Sequence, residues 1–390
     1  KAEPKTYEGY TFNAEKSAVS GSGELKAIKA EMDIVTLKLY YDVKKTSSGG
    51  SSGGSGGSGG SSSSSSTTTK VDSATGAVIK TTKKSDGSSI TTVKQTDGTT
   101  TTIKTAANGK AEIKSTLSSK AVAAAQDKDE AVALQIAPVT VATDSKKADA
   151  ITVDTGSKTK TKVEIPVEDV TEGVVAVVIG ADGQQTILKD TVATADGVTV
   201  VVADDTTIKL VDNSKEFVDV ADAYWGADAV DFVSARGLMN GTGKDRFSPS
   251  SDLTRGMIAV ILHNYEDNPE SAATSAFTDV ANGVWYDEAV RWAADEGIMN
   301  GYSADVFAPN DSITREQLAT ILWRYAGSPA AAGKLDRFTD ADAVSSYAGA
   351  ALDWATENGI VTGKGGDTLD PKGNATRAEV ATMLMRFCKL

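Results

Sequence analysis

Three arginines in the C-terminal half of the sequence stand at equivalent positions. Arg255, Arg315 and Arg377 each follow a threonine and precede an apolar pattern of helical period. If the threonine caps the helix, the arginine lies beside unpaired backbone N–H groups and the positive end of the helix dipole, where a cation is unfavourable. The pattern is compatible with a structural carboxylate from a neighbouring copy, or with an external anion that the guanidinium binds bidentately.

These arginines belong to a unit that occurs three times between residues 215 and 390. Each copy also holds an aspartate, an aromatic residue and a glycine at matching places. They are Asp219, Asp279 and Asp340; Trp225, Trp285 and Tyr347; and Gly241, Gly301 and Gly363. From this glycine a proline follows eight residues on, and the Thr-Arg pair thirteen and fourteen residues on. Spacing kept three times indicates tandem structural repeats.

The spacing predicts two helices in each copy. The first ends before a glycine that suits the left-handed position after a helix. The second begins at the threonine, where Thr314 with Gln317 and Thr376 with Glu379 form capping boxes, whereas Met257 leaves the first box incomplete. Each second helix carries one apolar stripe that a lone helical hairpin cannot enclose, so we expect the copies to pack together.

The combined pattern F-x-D…W…G-I-M-x-G…F-x-P…I-T-R-E resembles the S-layer homology domain, in three tandem copies. The resemblance implies a three-pronged helical module with pseudo-threefold symmetry. It also implies non-covalent anchoring of a secreted, Gram-positive surface protein to secondary cell-wall polysaccharide, which often bears pyruvate ketals. The expected location is extracellular, at the cell wall or S-layer.

By this resemblance, Arg255, Arg315 and Arg377 hold the acidic sugar. The aromatic residues named above either stack on sugar faces or pack in the core, and the aspartates are carbohydrate-binding or loop-capping residues. The glycines serve backbone geometry and allow a saccharide to approach closely. The first copy reads LTRGM and the third has Tyr347 in place of tryptophan, so we expect two of three grooves to bind well.

The N-terminal half shows strand patterns and turn residues. Residues 1–45 resemble the closing part of a mucin-binding-protein type repeat, and their opening, KAEPKTYEGYTF, is typical of the middle of a domain in a longer precursor. Glycines recur every 11 residues at Gly76, Gly87, Gly98 and Gly109, mostly after Asp or Asn, which predicts hairpin turns between Thr-rich strands.

The predicted fold class is an all-β N-terminal half followed by an all-α C-terminal module of three helical-hairpin repeats with pseudo-threefold symmetry. The predicted domains are a partial β-repeat at 1–45, a Gly/Ser/Thr linker at 46–69, a hairpin stalk at 70–129, a small β-sandwich at 130–214, and S-layer homology repeats at 215–275, 276–336 and 337–390.

Composition excludes several classes of function. The chain has 53 acidic and 40 basic residues, a net charge of −13, which disfavours nucleic acid as a partner. The single cysteine, Cys388, and the single histidine, His263, cannot form a disulfide or a Cys/His metal cluster, so we predict no metal and no cofactor. No apolar run reaches 18 residues, so we predict no membrane span.

We find no catalytic constellation and predict that the chain is not an enzyme. Cell-wall polysaccharide is the predicted partner, with host glycans or other surface subunits as partners of the N-terminal region. Two alternatives stay open. The chain could be the C-terminal anchor of a surface glycan hydrolase, or that of an adhesin whose working domain lies upstream.

Overall fold

The computed structural model describes residues 10–20, 36–43, 65–136, 138–156, 160–180, 182–271, 277–332 and 335–390. The chain forms two compact units, Lys1–Ser62 and Ser63–Leu390. In the first, strand β1 (Tyr10–Ser20) pairs antiparallel with β2 (Thr36–Val43). Most of the predicted linker, residues 46–64, lies outside the described residues, and its last part belongs to a strand.

Five strands of the second unit follow one another in an antiparallel meander. They are β3 (Ser66–Val71), β4 (Val78–Lys83), β5 (Ser89–Lys94), β6 (Thr100–Thr105) and β7 (Ala111–Thr116). The turns between them place glycine in the left-handed region, with φ between 72° at Gly76 and 97° at Gly98. Aspartate side chains tighten these turns, since Asp97 accepts the Thr99 N–H at 2.7 Å.

The meander continues into the following strands. After helix α1 (Ser119–Lys128) come β8 (Val132–Ala133), β9 (Ala150–Asp154), β10 (Thr161–Pro166), β11 (Val174–Ile179), β12 (Gln185–Leu188), β13 (Val192–Ala193), β14 (Gly197–Val202) and β15 (Thr206–Asp212). One sheet has nine strands in the order β12-β11-β15-β9-β7-β6-β5-β4-β3, and a second has the order β13-β14-β10-β8. Ile151, Val163 and Ile208 are fully buried in the core that the two sheets share.

The predicted fold class was wrong in its N-terminal half. The stalk and the sandwich are not separate, because β7 pairs in parallel with β9 and so joins their strands into one sheet. Nor is this half all-β, because α1 lies within it, with Ser118 accepting the Ala121 N–H at its start. The sequence SKAVAAAQDK carries strong helix formers, a signal that the 11-residue period concealed.

The C-terminal part contains two helices in each copy of the repeat. They are α2 (Ala227–Ala235) and α3 (Arg255–Tyr265), α4 (Asp287–Asp295) and α5 (Arg315–Tyr325), and α6 (Gly349–Glu357) and α7 (Arg377–Cys388), with short 3₁₀ turns at Leu335–Arg337 and Ala341–Ala343. Both predicted capping boxes are present, and Thr254 caps α3 without one. None of the helices in the described parts of the chain is long and apolar enough to cross a membrane.

The prediction of three helical-hairpin repeats was also wrong. The main helix pairs join different copies: α3 packs on α4, α5 on α6, and α7 on α2. The apolar stripe of each second helix is therefore covered by the first helix of the next copy. Where the copies meet, Leu253 donates to Ala375, Ala375 to Ile313 and Ile313 to Leu253 through their backbones, at 2.8 to 3.2 Å. All three residues are fully buried, so the copies close into a ring.

The helical module is joined to the nine-stranded sheet through Arg236, at the end of α2. Its guanidinium makes five hydrogen bonds to backbone carbonyls, two to Thr191 and one each to Glu172, Val174 and Phe232. Only 1% of the residue is exposed, and burial lowers its pKa to about 10. The sheet and the module are thus parts of one compact unit.

Candidate functional site

Each of the three repeated arginines reaches from the start of its helix to the loop of the next copy. The Nε atom of Arg255 donates to the Phe307 carbonyl at 2.9 Å, and that of Arg315 to the Leu369 carbonyl at 3.0 Å. Arg377 closes the ring by donating to Phe247 at 2.7 Å. Arg255 and Arg315 line cavities between copies, here named the Arg255 and Arg315 grooves. The equivalent place in the repeat beside Arg377 is named the Arg377 groove.

The helix N-termini are satisfied from within the protein. The Arg255 N–H donates to Asp311 at 3.0 Å and the Gly256 N–H to Pro309 at 2.8 Å, both through carbonyls of the next copy. The third N–H, of Met257, bonds to the Thr254 side chain. The other two copies repeat this arrangement. The N–H groups expected to be unpaired are therefore occupied, and an external anion would meet only the guanidinium.

The aspartates hold the loops that receive the arginines. Both oxygens of Asp279 accept backbone N–H groups, from Phe307 at 2.9 Å and from Ala308 at 2.6 Å. Asp219 and Asp340 bond to their own loops in the same way. Burial acts to raise the pKa of these two carboxyls, but the backbone hydrogen bonds outweigh it and the pKa is lowered.

The repeated glycines lie against the aromatic ring that opens their own copy. A Cβ at Gly301 would stand 2.6 Å from the Phe277 ring and 2.5 Å from the Val306 carbonyl oxygen. At Gly241 and Gly363 the distance to the equivalent ring is 2.9 Å. The absence of a side chain at these glycines thus allows the loop to pack against the aromatic ring of its own copy.

The Arg255 groove is a cavity of about 320 Å³ to which all three copies contribute residues. Its lining includes Met299–Tyr302, Gln317, Thr320, Ile321, Arg324 and Tyr347, with no carboxylate. The Arg255 guanidinium lies 4.5 Å over the Tyr302 ring, and its Nη2 atom donates to the Asn300 carbonyl at 2.7 Å. Burial lowers the pKa of Arg255. Its Nη1 atom makes no hydrogen bond to the residues that the structure describes.

The Arg315 groove, of about 380 Å³, has a different charge pattern. Its lining includes Trp225, residues 360–365, Glu379 and Arg386. Glu379 lies 3.1 Å from Arg315 Nη1 and 3.1 Å from Lys364 Nζ. Burial acts to raise the pKa of Glu379, but the Thr376 N–H and the neighbouring cations lower it. Glu379 therefore pairs with two of the three cations in this groove, and Lys364 also pairs with Asp370 at 2.7 Å.

The Arg377 groove has a less polar wall. Arg377 donates to Phe247 and, through Nη2, to the Asn240 carbonyl at 2.6 Å. By the repeat spacing, the positions that hold Glu379, Thr382 and Arg386 in the Arg315 groove are Met257, Val260 and Asn264 here. At the position where the Arg255 groove has Arg324 and the Arg315 groove has Arg386, this groove has the neutral Asn264.

The three aromatic residues are exposed rather than packed in the core. Trp225 and Trp285 are 62% exposed and Tyr347 is 50% exposed. Tyr347 lines the Arg255 groove and Trp225 the Arg315 groove, while Trp285 takes the equivalent place beside the Arg377 groove by the repeat spacing. Tyr347 also donates to Glu316 at 2.9 Å, and burial together with this carboxylate raises its pKa to about 12.

Three residues that line the grooves, Arg324, Arg386 and Lys364, were not predicted from the sequence. Arg324 and Arg386 stand ten residues after the capping threonines Thr314 and Thr376, a spacing that would have revealed them. Lys364 lies in a loop, where no period points to it. Among the described residues, no group of three or more His, Cys, Asp or Glu side chains is arranged to hold a metal ion.

Comparison with known proteins identifies the repeated unit. Residues 216–256, 276–319 and 337–381 match the S-layer homology domain, so the chain carries three tandem S-layer homology domains. These matches lie in the C-terminal half, and the resemblance of residues 1–45 to a mucin-binding-protein type repeat stays a prediction.

Proteins of different kinds match part of this chain. Exoglucanase XynX of Acetivibrio thermocellus is 31% identical over 176 residues, which is 44% of this chain and 16% of that protein. A surface-layer 125 kDa protein of Lysinibacillus sphaericus is 31% identical over 168 residues, 42% of this chain and 14% of that protein. A cellulosome-anchoring protein of Acetivibrio thermocellus is 25% identical over 149 residues, 36% of this chain and 33% of that protein. The chain therefore spans a third or less of the length of these relatives.

Proposed function

We propose that this chain anchors a surface protein non-covalently to the bacterial cell wall. Its helical module binds secondary cell-wall polysaccharide that carries acidic groups, and pyruvate ketals are the substituent we favour. The observation that supports this most directly is the pair of guanidinium-lined grooves, of about 320 and 380 Å³, in a strongly acidic part of the chain. Residues 215–390 hold 26 acidic and 15 basic side chains.

The chemistry of the grooves suits an acidic sugar. A carboxylate pairs with a guanidinium through short, charge-assisted hydrogen bonds. An exposed aromatic ring stands at the mouth of each of the two grooves and offers a flat face to a sugar ring. In this proposal the arginines bind the acid and the aromatic residues contact the sugar, whereas the aspartates and glycines shape the loops.

Several sites on one module strengthen attachment to a repeating polymer. When two sites engage one chain, the second binding event is intramolecular, and apparent affinity rises by roughly 10²–10⁴. The ring of hydrogen bonds at Leu253, Ile313 and Ala375 holds the grooves at fixed separations. A polymer with regularly spaced acidic units would therefore be retained even where each site is weak.

The relatives support an anchoring role. One is an exoglucanase, one a surface-layer protein and one a cellulosome-anchoring protein, and each matches less than half of this chain. We infer that the matched part is the helical module, which carries the S-layer homology domains. A module common to such different proteins fits attachment better than catalysis. We therefore propose a non-enzymatic anchor located at the cell surface. Because relatives include glycosidases, the second candidate is the anchor of a surface enzyme, with its catalytic domain outside this chain.

The test is co-sedimentation of the whole chain with purified cell walls. We expect binding to intact walls, loss of binding after the secondary polysaccharide is extracted, and competition by the free polysaccharide. Arg246→Gln should bind like the native chain, because Arg246 is exposed, pairs with Asp219 at 3.7 Å and does not line the Arg255 or the Arg315 groove. Equal binding to intact and extracted walls would refute a polysaccharide receptor.

A further inference from the structure

We infer that the Arg255 groove is the main acid-binding site of the module and that Arg324 is its second cation. The Arg315 groove is then a weaker site, and the Arg377 groove does not select for acids. This ranking rests on the proposed function and goes beyond it. It also runs against the sequence motif, since the middle copy, which supplies Arg315, has the motif closest to the family pattern.

The lining of the Arg255 groove holds two cations and no carboxylate. Arg324 is half-buried in its wall on α5, and its guanidinium makes no hydrogen bond or ion pair with the residues that the structure describes. The Nη1 atom of Arg255 is likewise free of partners there. Glu316 touches the edge of the groove through Tyr347, but it is buried and paired with Lys372 at 2.7 Å. Two guanidinium groups in one cleft create a positive field that a bound anion relieves.

The Arg315 groove already contains its own anion. Glu379 pairs with Arg315 and with Lys364, and the Thr376 N–H holds it in place at 2.9 Å as part of the capping box. Arg386 is engaged as well, since its Nη1 atom donates to the Ile360 carbonyl at 3.3 Å. Because Glu379 already neutralises much of the positive charge in this groove, we expect the same carboxylate ligand to bind less tightly here than in the Arg255 groove.

The Arg377 groove lacks a cation at the position that supplies Arg324 and Arg386 to the other grooves. Asn264 stands where the other grooves have Arg324 and Arg386, and Met257 and Val260 complete an apolar wall. Arg377 uses Nε and Nη2 on backbone carbonyls. With a single, partly engaged guanidinium, this groove has little to distinguish an acidic sugar from a neutral one.

The experiment is calorimetric titration of the whole chain with a methyl hexoside bearing a 4,6-linked pyruvate ketal. The methyl ester of the same compound is the uncharged control. The variants are Arg324→Gln, Arg324→Lys, Arg386→Gln and Asn264→Arg. None of these side chains lies in the hydrogen-bonded ring that holds the copies together, and circular dichroism checks that each variant is folded.

We expect Arg324→Gln to weaken the tighter site by about tenfold, the loss of one charge-assisted contact, and Arg324→Lys to restore part of it. Arg386→Gln should leave that site within about twofold. Asn264→Arg should add a new acid-selective site. An unchanged tight site in Arg324→Gln together with its loss in Arg386→Gln would overturn the ranking. Equal binding of acid and ester would overturn the charge argument, and no binding of either compound or of cell walls would reject the proposed function itself.

Discussion

The buried guanidinium of Arg236 gives the most demanding prediction about the architecture. Replacement by methionine keeps the apolar length of the side chain and removes its five hydrogen bonds. Three of its acceptors, the carbonyls of Thr191, Glu172 and Val174, belong to the sheet side of the contact. Each carbonyl that stays buried without a hydrogen-bond donor costs about 1–3 kcal/mol of stability.

The net loss of stability in Arg236→Met is smaller than the summed cost of leaving three buried carbonyls without a hydrogen bond. Burial lowers the pKa of Arg236 to about 10, so its charged form is destabilised by about 3 kcal/mol, and methionine removes that cost. We expect Arg236→Met to lower the free energy of unfolding by about 3 kcal/mol. Arg246→Met is the control, since its exposed ion pair contributes about 0–1 kcal/mol.

Urea unfolding followed by two probes measures this effect. All five tryptophans lie between Trp225 and Trp354, so tryptophan fluorescence reports only on the helical module, whereas far-ultraviolet circular dichroism reports on the sheets as well. We expect coincident transitions in the native protein and separated ones in Arg236→Met, because the variant uncouples the two parts. Coincident transitions with a loss below 1 kcal/mol would refute the reasoning.

Three further substitutions test the local arguments. Glu316→Gln should lower the free energy of unfolding at pH 7 by about 2 kcal/mol. Burial acts to raise the pKa of Glu316, but hydrogen bonds from Lys372 and Ser345 outweigh it and lower the pKa below 4.5, so the stabilisation is present above pH 4.5 and is lost as the pH falls below that value. A difference between variant and native protein that is as large at pH 3 as at pH 7 would contradict this. Gly301→Ala should lower stability in thermal unfolding by about 2–3 kcal/mol, because the added methyl would meet the carbonyl oxygens of Ser303 and Val306 and the Phe277 ring. Gly349→Ala, with open space around the added methyl, should be neutral or stabilising, and equal effects of the two substitutions would show that close packing at Gly301 does not matter. Met257→Gln should complete a capping box at the start of α3 and raise stability by about 0.5–1 kcal/mol, and a lower melting temperature would argue against it.

Local features of the helical module followed from the sequence because short-range spacing determines them. Thr314 with Gln317, and Gly297 after α4, are signals contained within a few residues, and the structure has both. The pairing of α3 with α4 rather than with α2 was missed, because an apolar stripe shows that a face is buried but not by which helix. The same holds for β7, whose parallel partner β9 lies beyond a helix.

The chemistry of the arginines was harder to predict than their positions. A Thr-Arg pair does not reveal that Arg255 bonds to the Phe307 carbonyl of another copy, or that the helix N–H groups are already satisfied. Arg324 could have been noted from its spacing, but its importance depends on the lack of a carboxylate in the groove, which only the assembled copies show.

The most direct test of the anchoring account compares binding of the whole chain to two preparations of the same cell wall. One retains the pyruvate ketals of its secondary polysaccharide, and in the other mild acid has removed them while the polymer stays attached. The account predicts that removal of the ketals weakens binding by about tenfold or more, because each groove loses its charged contact. Equal retention on both walls would contradict it.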